Sequence, residues 1–510
     1  MLSAAKLLQW ACAAALMAPA AGCVPQGRTA GPAPRPAARG LPGVPAGPGT
    51  RAELRRVIDS LVAQPEFDNA RWGVLVVDPE RGDTLYTRNA DKLFLPASNM
   101  KLVTTAVALT QLGADYRYVT TLAARGPVAG GTLNGDLLVF GRGDPTVSDS
   151  ASGDAMAPLR AMADSLYATG LRRITGRLRV GADVFPGPTL GYGWSWDDLD
   201  QSYGAPVDEL LFNDGFAIVR VHAGDTPGAP VRAATAPARR YPALRVSART
   251  VSAADTAQLR MRPLRARLDT VTGGVDLTGT IAAGDSAALP VPLADPDGAY
   301  LAALGEALAD RGISVDGGAV DTTAAVDTLA RLESVSLAQM LPALLQPSQN
   351  QLAEMLLRTL ALRQTGVGVA DSAARVESDQ LLAWGASPDG FVLRDGSGLS
   401  RYDLLSPRTI VRVLDAMRRS PAFEPYYAAL PVAGGYGTLE KRMLGTPAQG
   451  NVHAKTGSMA NTRSLSGYVT TADGRRLLFS VLCNNFTAPS ARVLAAEDAI
   501  AVHLASLRLE

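Results

Sequence analysis

The sequence predicts an α+β fold, in which an antiparallel sheet flanked by helices is interrupted by inserted β-rich modules. Residues 72–78 and 84–89 form two strand-like runs near the start of the chain. Three more lie near its end, at 451–458, 463–472 and 475–485. Asp473-Gly474 is typical of the turn in a hairpin. Because helical segments accompany both sets, we expect the two ends to build one sheet.

The other elements follow from local patterns along the chain. Residues 51–64 have a helical period, and the turn-rich residues 79–83 join the first two strands. Residues 96–113 predict a helix with Pro96 in its first turn and Gly113 as its C-terminal stop. Further helical segments lie at 299–312, 351–363 and 488–507.

A change in composition sets the expected domain boundaries. Residues 126–297 have few long helical periods and are dense in glycine, proline and short β-branched runs. We expect them to form one or two inserted β-rich domains. The sheet-bearing domain is then discontinuous and consists of residues 51–125 and 298–510.

The N-terminal segment has the pattern of an export signal. Residues 1–22 combine an early positive charge, a short apolar run and a small-residue end. Cleavage is expected either after residue 20 or just before Cys23, where the sequence resembles a bacterial lipoprotein box that would place a lipid on Cys23. Residues 23–50 are rich in proline, glycine and alanine and predict a flexible tether. We therefore expect an exported protein of the periplasm or cell envelope, with membrane contact only through such a lipid.

Composition and charge exclude several functions. The formal net charge is +1, so there is no electrostatic case for binding nucleic acid or a polybasic membrane contact. The cysteines Cys12, Cys23 and Cys483 give no disulfide framework, and Cys483 is expected in the core. The histidines His222, His453 and His503 lack metal-ligand spacing, so we expect neither a metal nor a cofactor. The sequence does not indicate an oligomeric state.

A serine and a lysine share one face at the start of the 96–113 helix. Ser98 precedes Lys101 by three positions, so the two side chains are neighbours on a helix. Two interpretations are open: a buried ammonium paired with a carboxylate, or a serine nucleophile beside a lysine that takes its proton. The spacing alone is weak, because Ser3 and Lys6 repeat it in the signal segment. However, lysine is rare in this arginine-rich chain, and only lysine can be deprotonated when buried.

Two further short motifs lie far from the first. Ser348-Gln349-Asn350 falls between two helical stretches, where both Ser and Asn also occur as ordinary helix caps. Lys455-Thr456-Gly457 lies on a predicted strand and is the stronger signal, although a surface strand with a turn glycine would explain it.

The order of the three motifs resembles that of a known superfamily. Ser-x-x-Lys, Ser-x-Asn and Lys-Thr-Gly, in this order, are the signature of penicillin-binding proteins and serine β-lactamases. The long separation of the first two motifs resembles the D-alanyl-D-alanine carboxypeptidase/endopeptidase family typified by penicillin-binding protein 4, peptidase family S13. Similar phrases also lie at 193–213, 395–407 and 436–447. The resemblance spans nearly the whole mature chain and implies a β-lactamase/transpeptidase-like domain.

The resemblance implies a set of roles in acyl transfer. Ser98 would attack the carbonyl group of a D-Ala-D-Ala peptide or a β-lactam, with Lys101 as the base. Ser348 would pass the proton to the leaving amine, and Asn350 would hold Lys101 and a substrate amide.

The third motif is expected to bind the substrate. Lys455 would supply a positive field for the terminal carboxylate, and Thr456 would offer it a hydroxyl group. Gly457 would let the substrate lie against the strand edge. The backbone amides of Ser98 and Ser458 would receive the oxyanion.

The family resemblance also implies a pocket for a side chain of the substrate. Asp198 and Arg401 match residues that engage the free amino and carboxyl groups of diaminopimelate, and Tyr203 would line the same pocket. The alternative is a helix-cap aspartate and a surface arginine. Ala460 and Gln349 depart from residues common in relatives, which puts the fine substrate preference in doubt.

Taken together, the residues predict an exported serine D-Ala-D-Ala carboxypeptidase/endopeptidase. Its expected partners are peptidoglycan peptides and β-lactams, and its intermediate is an acyl-enzyme on Ser98. The alternatives are a serine β-lactamase and a non-catalytic cell-wall binding or sensing protein of the same fold.

Overall fold

Helices and strands occupy most of residues 50–258, 262–269 and 271–509, which the computed structural model describes. The helices are α1 (Arg51–Val62), α2 (Met100–Leu112), α3 (Asp149–Ser152), α4 (Met156–Ala168), α5 (Ala253–Gln258), α6 (Pro296–Arg311), α7 (Leu337–Leu345), α8 (Asn350–Thr365), α9 (Ala370–Ala383), α10 (Pro407–Arg418), α11 (Phe423–Ala429) and α12 (Ser490–Ser506). Short 3₁₀ turns lie at Pro65–Phe67, Ala97–Asn99, Trp196–Asp198, Ser202–Gly204 and Asn213–Gly215.

The strands form several sheets. They are β1 (Arg71–Asp78), β2 (Asp83–Arg88), β3 (Val119–Arg125), β4 (Val128–Ala129), β5 (Thr132–Leu133), β6 (Asp136–Phe140), β7 (Arg173–Ile174), β8 (Leu178–Val180), β9 (Phe216–His222), β10 (Arg232–Ala236), β11 (Leu244–Val246), β12 (Arg249–Val251), β13 (Arg265–Leu268), β14 (Val275–Thr278), β15 (Thr280–Ala282), β16 (Ser286–Pro292), β17 (Ser314–Val315), β18 (Val326–Glu333), β19 (Phe391–Val392), β20 (Leu404–Leu405), β21 (His453–Met459), β22 (Thr462–Thr470) and β23 (Arg476–Asn484).

The expected signal peptide (1–22), the lipid site Cys23 and the tether (23–50, except Thr50) lie outside the described residues. Within the described ranges, none of the helices has the length and hydropathy that a membrane span requires.

A five-stranded antiparallel sheet joins the two ends of the chain. Its order is β2-β1-β23-β22-β21, so the N-terminal hairpin pairs directly with the last strand. Gly474 has a φ of +89° and allows the tight turn between β22 and β23. This sheet confirms the prediction that both ends build one layer of an α+β fold.

Helices cover both faces of this sheet. Helix α2 is buried from Met100 to Leu109 and lies in the main hydrophobic core, to which α7, α8, α9, α10 and α11 also contribute. Leu478 and Leu482 of β23 face this core. Because side chains alternate along a strand, Phe479 and Val481 point to the opposite face, where α12 and α1 pack. A helix that is buried on all sides over most of its length, as α2 is, belongs to the interior of the protein.

A second hydrophobic core lies in the inserted part. Strands β3, β6, β8 and β18 form one sheet, and helices α4 and α6 pack against each other beside it. Further sheets are formed by β4, β5, β7 and β17, by β9, β10 and β16, by β11, β13 and β14, and by β12 and β15. The insertion is therefore rich in short strands, as its composition indicates.

The limits of the two cores differ from the boundaries expected from composition, at residues 125 and 298. Strand β3 pairs with β6 and β18, and α6 contributes to the second core. The first core ends at Tyr118 and resumes at Leu337. We therefore propose that the inserted part extends from about residue 119 to 333. Composition does not show this pairing, because β3 and β18 are about two hundred residues apart and strand pairing over that distance leaves no local signal.

Helix α4 is a second difference, because the sequence analysis expects few helical periods between residues 126 and 297. Its buried residues Leu159, Met162, Ala163 and Leu166 have the i, i+3, i+4, i+7 spacing of an amphipathic helix. The signal is local and is hidden when composition is averaged over a long segment rich in glycine and proline.

We predict opposite effects from two glycine-to-alanine substitutions. A Cβ at Gly73 of β1 would lie 2.5 Å from Cε2 of Phe94 and 2.9 Å from Cγ of Pro407, and both side chains are buried. Gly73→Ala should therefore destabilise the protein by about 1–3 kcal/mol. A Cβ at Gly305 in α6 would meet only Cδ1 of Leu178, at 3.5 Å. Gly305→Ala should stabilise by up to about 1 kcal/mol. Denaturant unfolding of the purified protein measures both, and equal effects would contradict the packing described.

Candidate functional site

Ser98 lies in a 3₁₀ turn that leads directly into α2. The preceding residue, Ala97, is buried and has a φ of +47°, which is unusual for a residue with a side chain. Strain of this kind costs about 1–3 kcal/mol and persists only where surrounding contacts hold it. Here Ser464 donates a hydrogen bond to the carbonyl of Pro96 (2.8 Å), and Asn99 donates one to Oγ of Ser466 (2.7 Å). Two β22 hydroxyls thus fix the turn.

The amine of Lys101 is buried one helical turn after Ser98. Its Nζ lies 3.0 Å from Oγ of Ser98, 2.6 Å from Oδ1 of Asn350 and 2.8 Å from the carbonyl oxygen of Ser397. The latter two atoms can only accept hydrogen bonds. A neutral amine has two N–H bonds and one lone pair, so these acceptors use both N–H bonds. The lone pair is then left for the hydroxyl of Ser98.

Burial also changes the proton affinity of this amine. Removal from water lowers the pKa of Lys101 from 10.5 to about 7, and the charges of Asp395 and Glu354 oppose the shift. A substantial fraction of Lys101 is therefore neutral near pH 7. An arginine at this position would remain charged.

The second motif lies at the junction of α7 and α8 and contacts both lysines. Ser348 has a φ of +69°, and its Oγ accepts a hydrogen bond of 2.9 Å from Nζ of Lys455. Asn350 is the first residue of α8, with its Oδ1 on Lys101 and its Nδ2 donating to the carbonyl of Tyr203 at 2.9 Å. Gln349, and neither Ser348 nor Asn350, is the cap of α8.

Lys455 lies on the edge strand β21 and is fully buried. Its Nζ also donates to the carbonyl of Thr456 at 2.9 Å. Burial, followed by repulsion from Lys101, lowers the pKa of Lys455 well below its ordinary range. Ser348 contacts Lys455 and Asn350 contacts Lys101, so the second motif brings both lysines into one site.

The remaining residues of the third motif shape the strand edge. A Cβ at Gly457 would lie 2.1 Å from Oγ of Ser464 and 2.7 Å from the carbonyl of Pro96, so only glycine lets β21 approach the Ser98 turn. Thr456 donates a hydrogen bond of 2.8 Å to Oγ1 of Thr438, and Ser458 is exposed.

The three residues of the expected side-chain pocket lie together at the surface. The hydroxyl of Tyr203 donates to Oδ1 of Asp198 at 2.9 Å, and Nη2 of Arg401 lies 4.0 Å from Oδ2 of the same carboxylate. Burial, followed by the contact with Asp198, raises the pKa of Tyr203. A carboxylate and a guanidinium group thus lie side by side, next to Tyr203, whose backbone carbonyl accepts a hydrogen bond from Asn350.

Sequence reasoning missed several contributors. The carbonyl of Ser397 and the hydroxyl of Thr438 complete the site, and Glu354 accepts hydrogen bonds from the amides of Gly396 and Ser397. Glu354 had a usable signal, because it follows Asn350 by four positions and so shares its helical face. A backbone carbonyl carries no such signal.

Two residues considered in the sequence analysis serve the packing. Cys483 is buried in β23, as expected, and burial raises the pKa of its thiol. The ring of His453 stacks on Tyr427, with ring centroids 4.0 Å apart. Burial lowers the pKa of this histidine.

Comparison with known proteins gives a family match over most of the chain. The model of the D-Ala-D-Ala carboxypeptidase 3 (S13) family matches residues 54–507. A D-alanyl-D-alanine carboxypeptidase of Actinomadura sp. (strain R39) is 35% identical over 475 residues, which cover 89% of this chain and 84% of the relative.

Solved structures show the same fold. Penicillin binding protein 4 from Haemophilus influenzae superposes with a TM-score of 0.74 at 23% identity, over 88% of this chain and 99% of that chain. Its complex with a novel β-lactam gives a TM-score of 0.70 at 23% identity, over 86% and 97% of the two chains.

The lowered pKa of Lys101 predicts a pH-dependent stability. Between pH 7 and 10.5 the unfolded chain binds a proton at this lysine that the folded chain lacks, so folding becomes more favourable as pH rises through this window. Lys101→Met removes this pH-dependent contribution to the free energy of unfolding. The variant should therefore become less stable relative to the wild type as pH rises. The difference between their free energies of unfolding, variant minus wild type, should fall by roughly a few kcal/mol from pH 6.5 to 9.5.

Denaturant unfolding at several pH values measures this difference. Lys441→Met is the matched control, because it removes an exposed ammonium group by the same substitution. A Lys101→Met difference that stays constant with pH would contradict the assignment.

Proposed function

The chain belongs to the D-Ala-D-Ala carboxypeptidase 3 (S13) family and is a serine D-Ala-D-Ala carboxypeptidase, and we propose that it acts through an acyl-enzyme on Ser98. The observation that carries the mechanism is the 3.0 Å contact between Oγ of Ser98 and Nζ of Lys101, with two carbonyl acceptors on the amine. This contact favours a nucleophile beside its base over a lysine paired with a carboxylate.

In the first half of the reaction, Oγ of Ser98 attacks the carbonyl carbon of the penultimate D-alanine. The hydroxyl proton moves to Nζ of Lys101, and a bond forms between Oγ and the carbonyl carbon. The bond to the terminal D-alanine nitrogen then breaks, and that nitrogen receives a proton through Ser348. The contacts of the second motif with both lysines support this path, since Lys455 donates to Ser348 at 2.9 Å and Lys101 donates to Asn350 at 2.6 Å. In the second half, the oxygen of a water molecule bonds to the acyl carbon, the ester bond to Oγ breaks, and a proton of that water restores the hydroxyl group of Ser98.

Recognition of the substrate carboxylate falls to the third motif. Burial holds the pKa of Lys455 low in the free site. A carboxylate that arrives beside Thr456 opposes this shift, because an opposite charge favours the ammonium form. The oxyanion is stabilised by the backbone amides of Ser98 and Ser458, which are worth a few kcal/mol when aimed at developing charge.

The surface pair Asp198 and Arg401 indicates the substrate side chain. A side chain that ends in both an ammonium and a carboxylate group, such as diaminopimelate, would place one charge on each partner. Tyr203, which donates to Asp198 at 2.9 Å, would orient the aspartate. We extend the proposal to cross-linked stem peptides, so that the protein is also an endopeptidase.

The substrate also locates the protein. Peptidoglycan lies outside the cytoplasmic membrane, so the protein must be exported, as residues 1–22 predict. We propose that it resides in the periplasm or cell envelope and that Cys23 carries a lipid. The penicillin binding protein 4 complexed with a β-lactam supports binding of such drugs here as well.

Incubation with penicillin should form a stable covalent adduct, and Ser98→Ala should abolish it. Intact mass spectrometry measures the mass increase, and Ser458→Ala, which alters an exposed serine of the same site but keeps its backbone amide, should still form the adduct. Release of D-alanine from a muropeptide that ends in D-Ala-D-Ala should likewise require Ser98. Rapid turnover of the drug would indicate a β-lactamase, and no adduct with the wild type would refute the acyl-enzyme.

We predict that Asp198→Asn weakens selection for a free diamino acid. Loss of one charged hydrogen-bond partner should lower kcat/KM about 10- to 100-fold for a peptide with diaminopimelate at the third position. A peptide whose third side chain carries no charge should be cleaved as by the wild type. Asp200→Asn is the matched control, because Asp200 is exposed on the same segment. Equal losses on both peptides would rule out this pocket.

A further inference from the structure

The loop of residues 395–400 is wedged between α8 and the turn that carries Ser98. A Cβ at Gly396 would lie 2.7 Å from the carbonyl of Ala353 in α8. A Cβ at Gly398 would lie 1.8 Å from the carbonyl of Ala97. The loop therefore touches both sides with its backbone, and a small movement of it must change the site.

Glu354 of α8 binds the backbone of this loop through hydrogen bonds. It is almost fully buried on α8, and its Oε1 accepts a hydrogen bond from the amide of Ser397 at 2.8 Å. Its two oxygens accept longer bonds, of 3.2 and 3.3 Å, from the amide of Gly396. From the opposite side, the hydroxyl of Thr104 donates to the carbonyl of Gly396 at 2.9 Å.

The same loop residue binds the amine of Lys101. The amide of Ser397 points to Glu354, while its carbonyl oxygen accepts from Nζ of Lys101 at 2.8 Å. Asn350, one helical turn before Glu354, supplies the other acceptor. One face of α8 thus determines both acceptors of the amine, one directly and one through the loop.

We propose that Glu354 is a positioning residue for acylation of Ser98, because it aims the Ser397 carbonyl at Lys101 and places its carboxyl group close enough to interact with the amine. This inference rests on the proposed acyl-enzyme mechanism. Glu354 does not touch the reacting atoms; it acts through Ser397 and Lys101.

The charge of Glu354 acts within a cluster of buried ionisable groups. The groups that face the amine or Glu354 are Glu354 and Arg358 from α8, Asp395 from the loop and Asp403 just after it, Glu377 from α9, and Lys455 from β21. Burial, followed by repulsion from Asp395, raises the pKa of Glu354 to about 7. Attraction to Asp395 and Glu354 raises the pKa of Lys101 against the stronger effect of burial. Removal of the charge at position 354 should make Lys101 a weaker base.

Glu354→Gln keeps the size and one acceptor atom but removes the charge. The rate constant for acylation by penicillin should fall about 10- to 100-fold. The acid limb of its pH profile should move to lower pH by about one unit, because the pKa of Lys101 falls. Stopped-flow acylation kinetics from pH 5 to 9 measure both effects on the full-length protein.

Glu377→Gln is the matched control. Glu377 is equally buried in the same cluster, but its carboxyl group accepts no hydrogen bond from the 395–400 loop among the described residues; Gln at this position keeps the size of the side chain and an acceptor atom beside Thr104. It should acylate at the wild-type rate with an unchanged acid limb. If the buried glutamates served only the stability of the fold, both variants would show the same fall in the acylation rate constant.

Thr104→Val tests positioning without a change of charge and serves if Glu354→Gln does not fold. It removes the donor to Gly396, so acylation should slow while the acid limb stays in place. The proposal is overturned if Glu354→Gln acylates with the wild-type rate and limb, or if Thr104→Val, tested in its place, acylates as the wild type. A wild type that forms no adduct would instead refute the acyl-enzyme, and this inference with it.

Discussion

The site depends on the burial of one amine, that of Lys101, whose two N–H bonds and lone pair each have a fixed partner. Taking Lys101 out of water disfavours its charged form, and the two carbonyl oxygens of Asn350 and Ser397 give its N–H bonds fixed partners. In the part of the chain that the structure describes, the partner left for the lone pair is the hydroxyl of Ser98, at 3.0 Å. A base that is neutral, immobile and aimed at one oxygen requires all three conditions together, and each is supplied by a different segment of the chain.

The fold fixes these segments through α2. This helix is buried along most of its length, with α7 to α11 around it and the sheet beneath α10, so the turn that carries Ser98 cannot move separately from the core. Strained backbone at Ala97 and Ser348 is held by this packing. Glycines at 398 and 457 let a loop and a strand approach the turn to distances that a side chain would forbid. The packing that makes the Ser98 turn rigid therefore also brings the loop and the strand close to it.

The inserted part contributes to the site as well as to the size of the protein. Tyr203 accepts a hydrogen bond from Asn350 through its backbone, and it donates one to Asp198 through its hydroxyl. The segment that forms one wall of the side-chain pocket is thus attached to the residue that holds Lys101. Substrate selection and the base are connected by two hydrogen bonds, although their residues lie in parts of the chain with separate hydrophobic cores.

The sequence by itself determined the elements near both ends of the chain and the three motifs. Helical and strand periods at both ends, the glycine after α2 and the turn at Gly474 act within a few residues, so they could be predicted from local patterns. The order of the three motifs indicated Ser98, Lys101 and Lys455 through its resemblance to a known superfamily. Only the tertiary structure decided which atoms complete the site and which distant strands pair. The carbonyl of Ser397, the carboxylate of Glu354 and the pairing of β3 with β18 are contacts between distant segments. A backbone carbonyl is present at every residue, and a strand carries no mark of its partner, so such contacts have no local signature.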